Sequence, residues 1–214
     1  MANAVVFDFD GTITDTESLE FSTWSAEFAS HGVRLELSEW IQCVGGGEWD
    51  VLEHLESLAG PLDSIAVMAS RGARYAAEAE GLAPRPGVRE LLALLGERGT
   101  PMAVASSSRV SWVCGYLEQF GLCGAFQAVV TRDHVRRVKP APDLFLLAAQ
   151  HLGIATEECV AIEDSPNGVA AAKAAGMRVV AFPNPVTESF DLSAADLVIS
   201  SLGDPRLVEL LALA

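Results

Sequence analysis

The 214-residue chain carries 29 acidic against 14 basic side chains, a formal net charge of −15, and half of its residues are hydrophobic. That length fits one large or two modest domains around a substantial core, and the hydrophobic share excludes a disordered chain. The acidic balance argues against nucleic-acid polymers and anionic membranes as partners, though one lysine or a metal can still make a local seat for a small anion.

No apolar run reaches the length of a membrane span, and Asp8 and Asp10 interrupt any signal-like start, so a soluble, cytoplasmic protein is expected. Cys43, Cys114, Cys123 and Cys159 form no CxxC pair and read as reduced, mostly buried thiols. His31, His54, His134 and His151 lack the spacing of a helical zinc motif.

In chain order, VVFDF comes first. Val5, Val6, Phe7 and Phe9 suit a covered strand, whereas Asp8 and Asp10 at i and i+2 bring two carboxylates to one face. Like charges so close need a cation or a proton between them. From about 16 to 81 the pattern turns helical. Phe21, Trp24 and Phe28 recur at helical spacing, and three segments end on Gly32, Gly60 and Gly81.

After the breaker GLAPRPG, helical and strand patterns alternate: VRELLALLGERG, MAVASSS, VSWVCGYLEQFG, AVVT, PDLFLLAAQHLG, CVAIEDS, PNGVAAAKAAG and RVVAF. Such alternation predicts a doubly wound parallel sheet with helices on both faces, with VVFDF central in it. Residues 1–14 and 83–214 are expected to form the α/β core domain, and 15–82 an inserted helical cap domain. Thr14, Asp15 and the Pro84–Gly87 stretch are the hinge candidates.

Ligands of open α/β sheets bind beyond the carboxyl ends of the strands. The predicted strand ends deliver Asp8 and Asp10, then Ser106, Ser107 and Ser108, then Lys139, then Glu163 and Asp164. Taken singly, each has an ordinary structural role: a turn aspartate, an N-cap serine, a surface lysine. Their convergence on one sheet edge points to chemistry. Clustered carboxylates favour a hard divalent cation such as Mg2+, and the lysine with a serine-bearing helix start offers a seat for phosphate. A carboxylate can then attack phosphorus.

In order and spacing, VVFDFDGTITDTE, VASSS, VKPAPD and IEDSPNG resemble the four signatures of the haloacid dehalogenase superfamily. The inserted helices and FPNPVT resemble its β-phosphoglucomutase-like phosphatase subgroup. The resemblance implies Asp8 as nucleophile and Asp10 as general acid and then base. It implies Mg2+ held by Asp8, the Asp10 carbonyl and Asp164, with Glu163 orienting that set. Ser106, Ser107 and Lys139 would grip the phosphoryl group, and the activity would be hydrolysis of a small phosphorylated metabolite by a monomer or weak homodimer.

A sugar-phosphate mutase is the rival, and a non-catalytic binding protein on the same fold a third reading. The cap positions where resembling mutases carry a histidine and an arginine are matched here by Glu20 and Glu48, and VGGGEWD holds no cation. This favours simple hydrolysis. Glu20, Glu48 or Trp49 is expected to face the leaving group, with Gly45, Gly46 and Gly47 permitting a mobile loop or a tight turn.

Overall fold

The computed structural model describes residues 3–41, 44 and 49–211. Its centre is a six-stranded parallel sheet in the order β3-β2-β1-β4-β5-β6. The strands are β1 (Ala4–Phe7), β2 (Met102–Ala105), β3 (Ala128–Val130), β4 (Cys159–Glu163), β5 (Arg178–Ala181) and β6 (Leu197–Val198). The opening strand is central, as its unbroken apolar run requires.

Side chains alternate across the sheet. Val5 and Phe7 of β1, with Val104, Ile162 and Val180, join one apolar cluster. Its helices are α5 (Val88–Glu97), α6 (Val110–Gln119) and α9 (Pro205–Leu210). Ala4 and Val6, with Ala103, Ala161 and Val179, join the opposite cluster, covered by α7 (Asp143–Leu152) and α8 (Pro166–Ala174). The period-two swap of neighbouring residues between clusters is what a strand buried on both faces must show.

Between β1 and α5 lie α1 (Thr16–Ser30), α2 (Leu37–Trp40), α3 (Val51–Ala59) and α4 (Ser64–Ala79). Asp15, Asp50 and Asp63 cap α1, α3 and α4 by accepting from the first-turn N–H groups. These helices bury a cluster of their own from Trp24, Phe28, Leu35, Trp40, Val44, Leu55 and Val67. Val186, from the loop after β5, enters that cluster, and Phe190 packs against it.

The two connections between insertion and sheet run together. Thr14 bridges Pro84, its hydroxyl donates to Ala83 O at 2.9 Å, and Arg85 N donates to Ile13 O at 2.8 Å. The thiols depart from the sequence expectation: Cys159 is buried in β4, but Cys114 and Cys123 are exposed. Cys114 sits on the outer face of α6, whose apolar stripe runs instead through Val113 and Leu117.

Candidate active site

Beyond the carboxyl ends of β1, β2 and β4 the chain gathers Asp8, Asp10, Ser107, Ser108 and Lys139 on one cavity of about 630 Å³, with Glu163 and Asp164 behind Asp8. Asp8 follows β1 directly, and its N–H donates to Ile162 O at 2.9 Å, continuing the ladder into β4. The residue is 5% exposed. One oxygen accepts from Lys139 Nζ, while the other, Oδ2, is buried without a donor. Burial, then the Glu163 and Asp10 charges, push Asp8 up to about 8 against the opposing pull of Lys139.

Lys139 is buried between two carboxylates, donating to Asp8 and, at 2.6 Å, to Glu163 Oε1. Burial alone would lower its pKa; the two anions outweigh that and raise it, keeping an ammonium inside the fold. Glu163 is fully occupied. Its Oε2 accepts from the N–H groups of Asp164 (2.8 Å) and Ser165 (3.0 Å) and from the Ser165 hydroxyl (3.1 Å). Glu163 therefore holds Lys139 on one side and the Asp164 backbone on the other. Gly168 is small for this reason: a Cβ there would lie 1.7 Å from Glu163 Oε1.

Asp164 accepts from Thr12 Oγ1 at 3.3 Å and from Asn184 Nδ2 at 2.7 Å. Burial, then the charges of Glu163, Asp8 and Glu17, raise its pKa well above the usual carboxylate range. Asp8, Glu163 and Asp164 each offer a carboxylate oxygen within 4.8 Å of the others. A divalent cation fits this set on the chemistry of its donors. Oxygen ligands are what Mg2+ takes, Asp8 Oδ2 has no competing donor, and buried anions need a counter-charge.

Asp10 stands apart from the lysine. Its Oδ1 accepts from Thr16 Oγ1 (2.9 Å) and Trp112 Nε1 (2.8 Å), and its Oδ2 from Ser108 Oγ (2.6 Å) and Ser106 Oγ (3.3 Å). Ser106 is buried and also accepts from Ser108 N at 3.0 Å, so its hydroxyl serves the turn and Asp10. Ser107 lines the cavity, and its hydroxyl is buried without a partner.

Glu20 lines the cavity from α1 and is ion-paired with Arg71 of α4. Burial raises its pKa, Arg71 opposes that rise, and Asp10 adds to it. Trp49 is not among the cavity residues; its ring lies against His54, tilted by 48° with centroids 4.9 Å apart, and packs against the insertion's own cluster. Trp24 and Trp40 line the cavity in its stead. Gly45, Gly46, Gly47 and Glu48 lie outside the described residues.

Sequence reasoning missed Thr16, Trp112, Thr12, Asn184 and Arg85. Arg85 ties the site's floor, donating to the carbonyls of Gly11, Phe182 (3.0 Å) and Pro183 (2.6 Å) while lying 3.6 Å from the Phe182 ring centroid. Four of these lie in stretches already singled out, Thr12 and Thr16 in VVFDFDGTITDTE, Arg85 in GLAPRPG and Asn184 in FPNPVT, whereas Trp112 had no motif to mark it.

A parallel α/β sheet with a helical insertion after its first strand, and acidic residues and one buried lysine at its carboxyl edge, defines a hydrolase class. Residues 5–182 match the haloacid dehalogenase-like hydrolase family, and the chain belongs to it. It is 40% identical to YhcW of Bacillus subtilis (strain 168), provisionally named a phosphatase, over 99% of this chain and 97% of that one. It is 36% identical to the fructose-1-phosphate phosphatase YqaB of Escherichia coli (strain K12), over 82% of this chain and 94% of that one. Among solved structures, a haloacid dehalogenase family hydrolase of Deinococcus radiodurans R1 with bound phosphate and sodium superposes with a TM-score of 0.82. That likeness has 30% identity over 99% of this chain and 96% of that one. The protein is a phosphatase of this family. No described helix is long and apolar enough to cross a membrane.

Proposed function

We propose that the protein hydrolyses a small phosphomonoester of the sugar or polyol phosphate class, using Mg2+ and an aspartyl-phosphate on Asp8. The observation that carries this reading is the division of labour between two aspartates. Asp8 is buried against Lys139 with one oxygen left unpartnered, while Asp10, lining the same cavity, is held by four donors. The named relative YqaB supports the substrate class.

In this mechanism Lys139 and the free Ser107 hydroxyl hold the phosphoryl oxygens. An Asp8 oxygen bonds to phosphorus as the ester P–O bond breaks, and Asp10 delivers its proton to the departing oxygen. Asp10 then takes a proton from the water that attacks phosphorus, releasing orthophosphate and restoring Asp8. Asp8, the Asp10 carbonyl and Asp164 would hold Mg2+, whose chemistry there is neutralisation of anionic charge. Glu163 keeps Lys139 and the Asp164 backbone in place.

Residues 15–82 act as a cap domain over a core of 1–14 and 83–214, closing to exclude water. Among the described cavity residues every cation, Arg109, Arg132 and Lys139, comes from the core. The cap side offers Thr16, Glu17, Glu20, Trp24, Trp40 and Val51, a lining for a hydroxyl-bearing leaving group rather than a second phosphate. Hydrolysis is favoured over mutase chemistry on that ground, and the assembled groups leave a purely binding role without a purpose for Asp10.

A panel of hexose, pentose and polyol monophosphates, assayed with Mg2+ and then with EDTA, tests this directly. Turnover should require Mg2+, vanish in Asp8→Asn, and favour monophosphates over bisphosphates. Undiminished turnover in EDTA or in Asp8→Asn would overturn the reading.

A further inference from the structure

We infer that Trp112 is a positioning residue for proton transfer, through which the seated cap aligns Asp10; the inference rests on Asp10 being the acid and base. Trp112 belongs to α6 and lies in none of the sequence motifs. Its indole N–H donates to Asp10 Oδ1 at 2.8 Å. Its ring is fixed from both sides of the cavity. Tyr116, one turn further along α6, meets it edge-on at 5.0 Å, and Tyr75 of the insertion's α4 packs against it at 5.6 Å.

The contact continues into the leaving-group side. The Arg71 guanidinium lies 5.0 Å from the Tyr75 ring centroid and 5.2 Å from that of Trp24, and it pairs with Glu20 on the cavity wall. Asp10, Trp112, Tyr75, Arg71 and Glu20 thus form one packed circuit from the acid to the wall of the leaving-group site. Thr16, Ser106 and Ser108 also donate to Asp10, through rotatable hydroxyls: Thr16 from the first residue of α1 on the cap side, Ser106 and Ser108 from the segment that follows β2. Of the four donors, Trp112 is the one that packs its ring on α4.

A hydroxyl donor can rotate about its C–O bond to follow a moving carboxylate; an indole N–H cannot. A rigid donor clamped by an aromatic from the cap therefore sets where Asp10 Oδ1 points. Displacing a general acid by a fraction of an ångström matters only when the departing oxygen needs its proton. A sugar alkoxide does. p-Nitrophenolate, stable as the anion, leaves without one.

The test is kcat/KM for an alkyl phosphate (glycerol or hexitol phosphate) relative to p-nitrophenyl phosphate, since kcat/KM reports steps only up to breaking of the ester bond. Trp112→Phe keeps the ring and removes the N–H. It should lower the alkyl-to-aryl ratio about tenfold, part of the 10²–10⁴-fold that general acid catalysis supplies. Asp10→Asn should lower the ratio further, and Tyr75→Leu, which keeps the N–H but loosens its clamp, should lower it by a smaller factor.

A purely structural role would depress both substrates together and leave the ratio alone. An unchanged ratio in Trp112→Phe and Tyr75→Leu, with a fallen ratio in Asp10→Asn, overturns this inference and leaves the reading of Asp10 standing. An unchanged ratio in Asp10→Asn overturns that reading and this inference with it. Should Trp112→Phe not fold, the Tyr75→Leu ratio decides.

Discussion

Asp8 is the residue on which the site's electrostatics converge, and its burial beside Glu163 and Asp10 has a consequence for stability. In the folded, metal-free protein it is pushed up to about 8, against an ordinary carboxylate value near 3.8. Asp164 and Glu17 are shifted in the same direction, each chiefly by burial. The fold therefore retains protons that the unfolded chain has released once the pH exceeds the ordinary carboxylate range. Stability falls with rising pH wherever the native state holds more protons. The expected slope is about 1.4 kcal/mol per pH unit for each proton so retained. Urea midpoints in EDTA should therefore drop between pH 5 and pH 8. On the proposed function Mg2+ would bind the ionised carboxylates, so saturating Mg2+ should restore stability most at the alkaline end. A midpoint that rises with pH in EDTA would show that the carboxylates ionise freely in the fold.

At the scale of elements, the turn after β1 carries the tightest geometric demand. Gly11 has φ +84°, and a Cβ on it would come within 2.2 Å of Asp164 Oδ2 and 2.7 Å of Asn184 Nδ2. Gly32, after α1, has a similar φ of +76° but nothing within 4 Å of its Cβ position. Alanine at either should cost about 1–2 kcal/mol of backbone strain. Gly11→Ala alone should also displace Asp164, raising the Mg2+ concentration needed for half-maximal turnover several-fold, while Gly32→Ala leaves that requirement unchanged. Equal Mg2+ requirements in the two variants would separate the turn from the carboxylate. This turn was legible in the sequence because DGT follows an apolar strand, and the sheet was legible for the same kind of reason. β1, β2, β4 and β5 are apolar runs bounded by glycine, proline or charge; the ends of β1 and β4 name Asp8, Glu163 and Asp164, and the segment after β3 leads to Lys139, without any tertiary knowledge. β6 and α2, at two and four residues, are too short for periodicity to register. Trp112 and Trp49 show the other limit. In sequence a tryptophan looks the same whether its ring fills a cluster, as with Trp49, or its N–H meets a carboxylate on the cavity, as with Trp112, and only packing between distant elements separates the two.

For the molecule as a whole, the insertion and the sheet meet not only across the cavity but through the loop after β5. Asn184 donates to Asp164 Oδ2 at 2.7 Å, and its own Oδ1 accepts from Val186 N (2.9 Å) and Thr187 N (3.1 Å). Val186, held by that turn, is buried in the insertion's cluster. On α8, Asn167 donates to Val44 O at 2.9 Å, a second tie between the carboxylate edge and the helices above it. The segment that steadies Asp164 is therefore also the one on which the helices rest. Val186→Ala removes the equivalent of two methylenes from that seat, worth about 1.6 kcal/mol, or roughly fifteenfold in a seating equilibrium. The chain reports its own seating, since Trp24, Trp40 and Trp112, three of its four tryptophans, line the cavity. Mg2+ with orthovanadate, a phosphoryl mimic, should shift their emission to the blue as water leaves the cavity. Val186→Ala should weaken that shift and lower kcat/KM by up to about fifteenfold, in proportion to the population lost. A full blue shift combined with undiminished kcat/KM in this variant would show that the helices seat without the loop, and that Asn184 serves Asp164 alone.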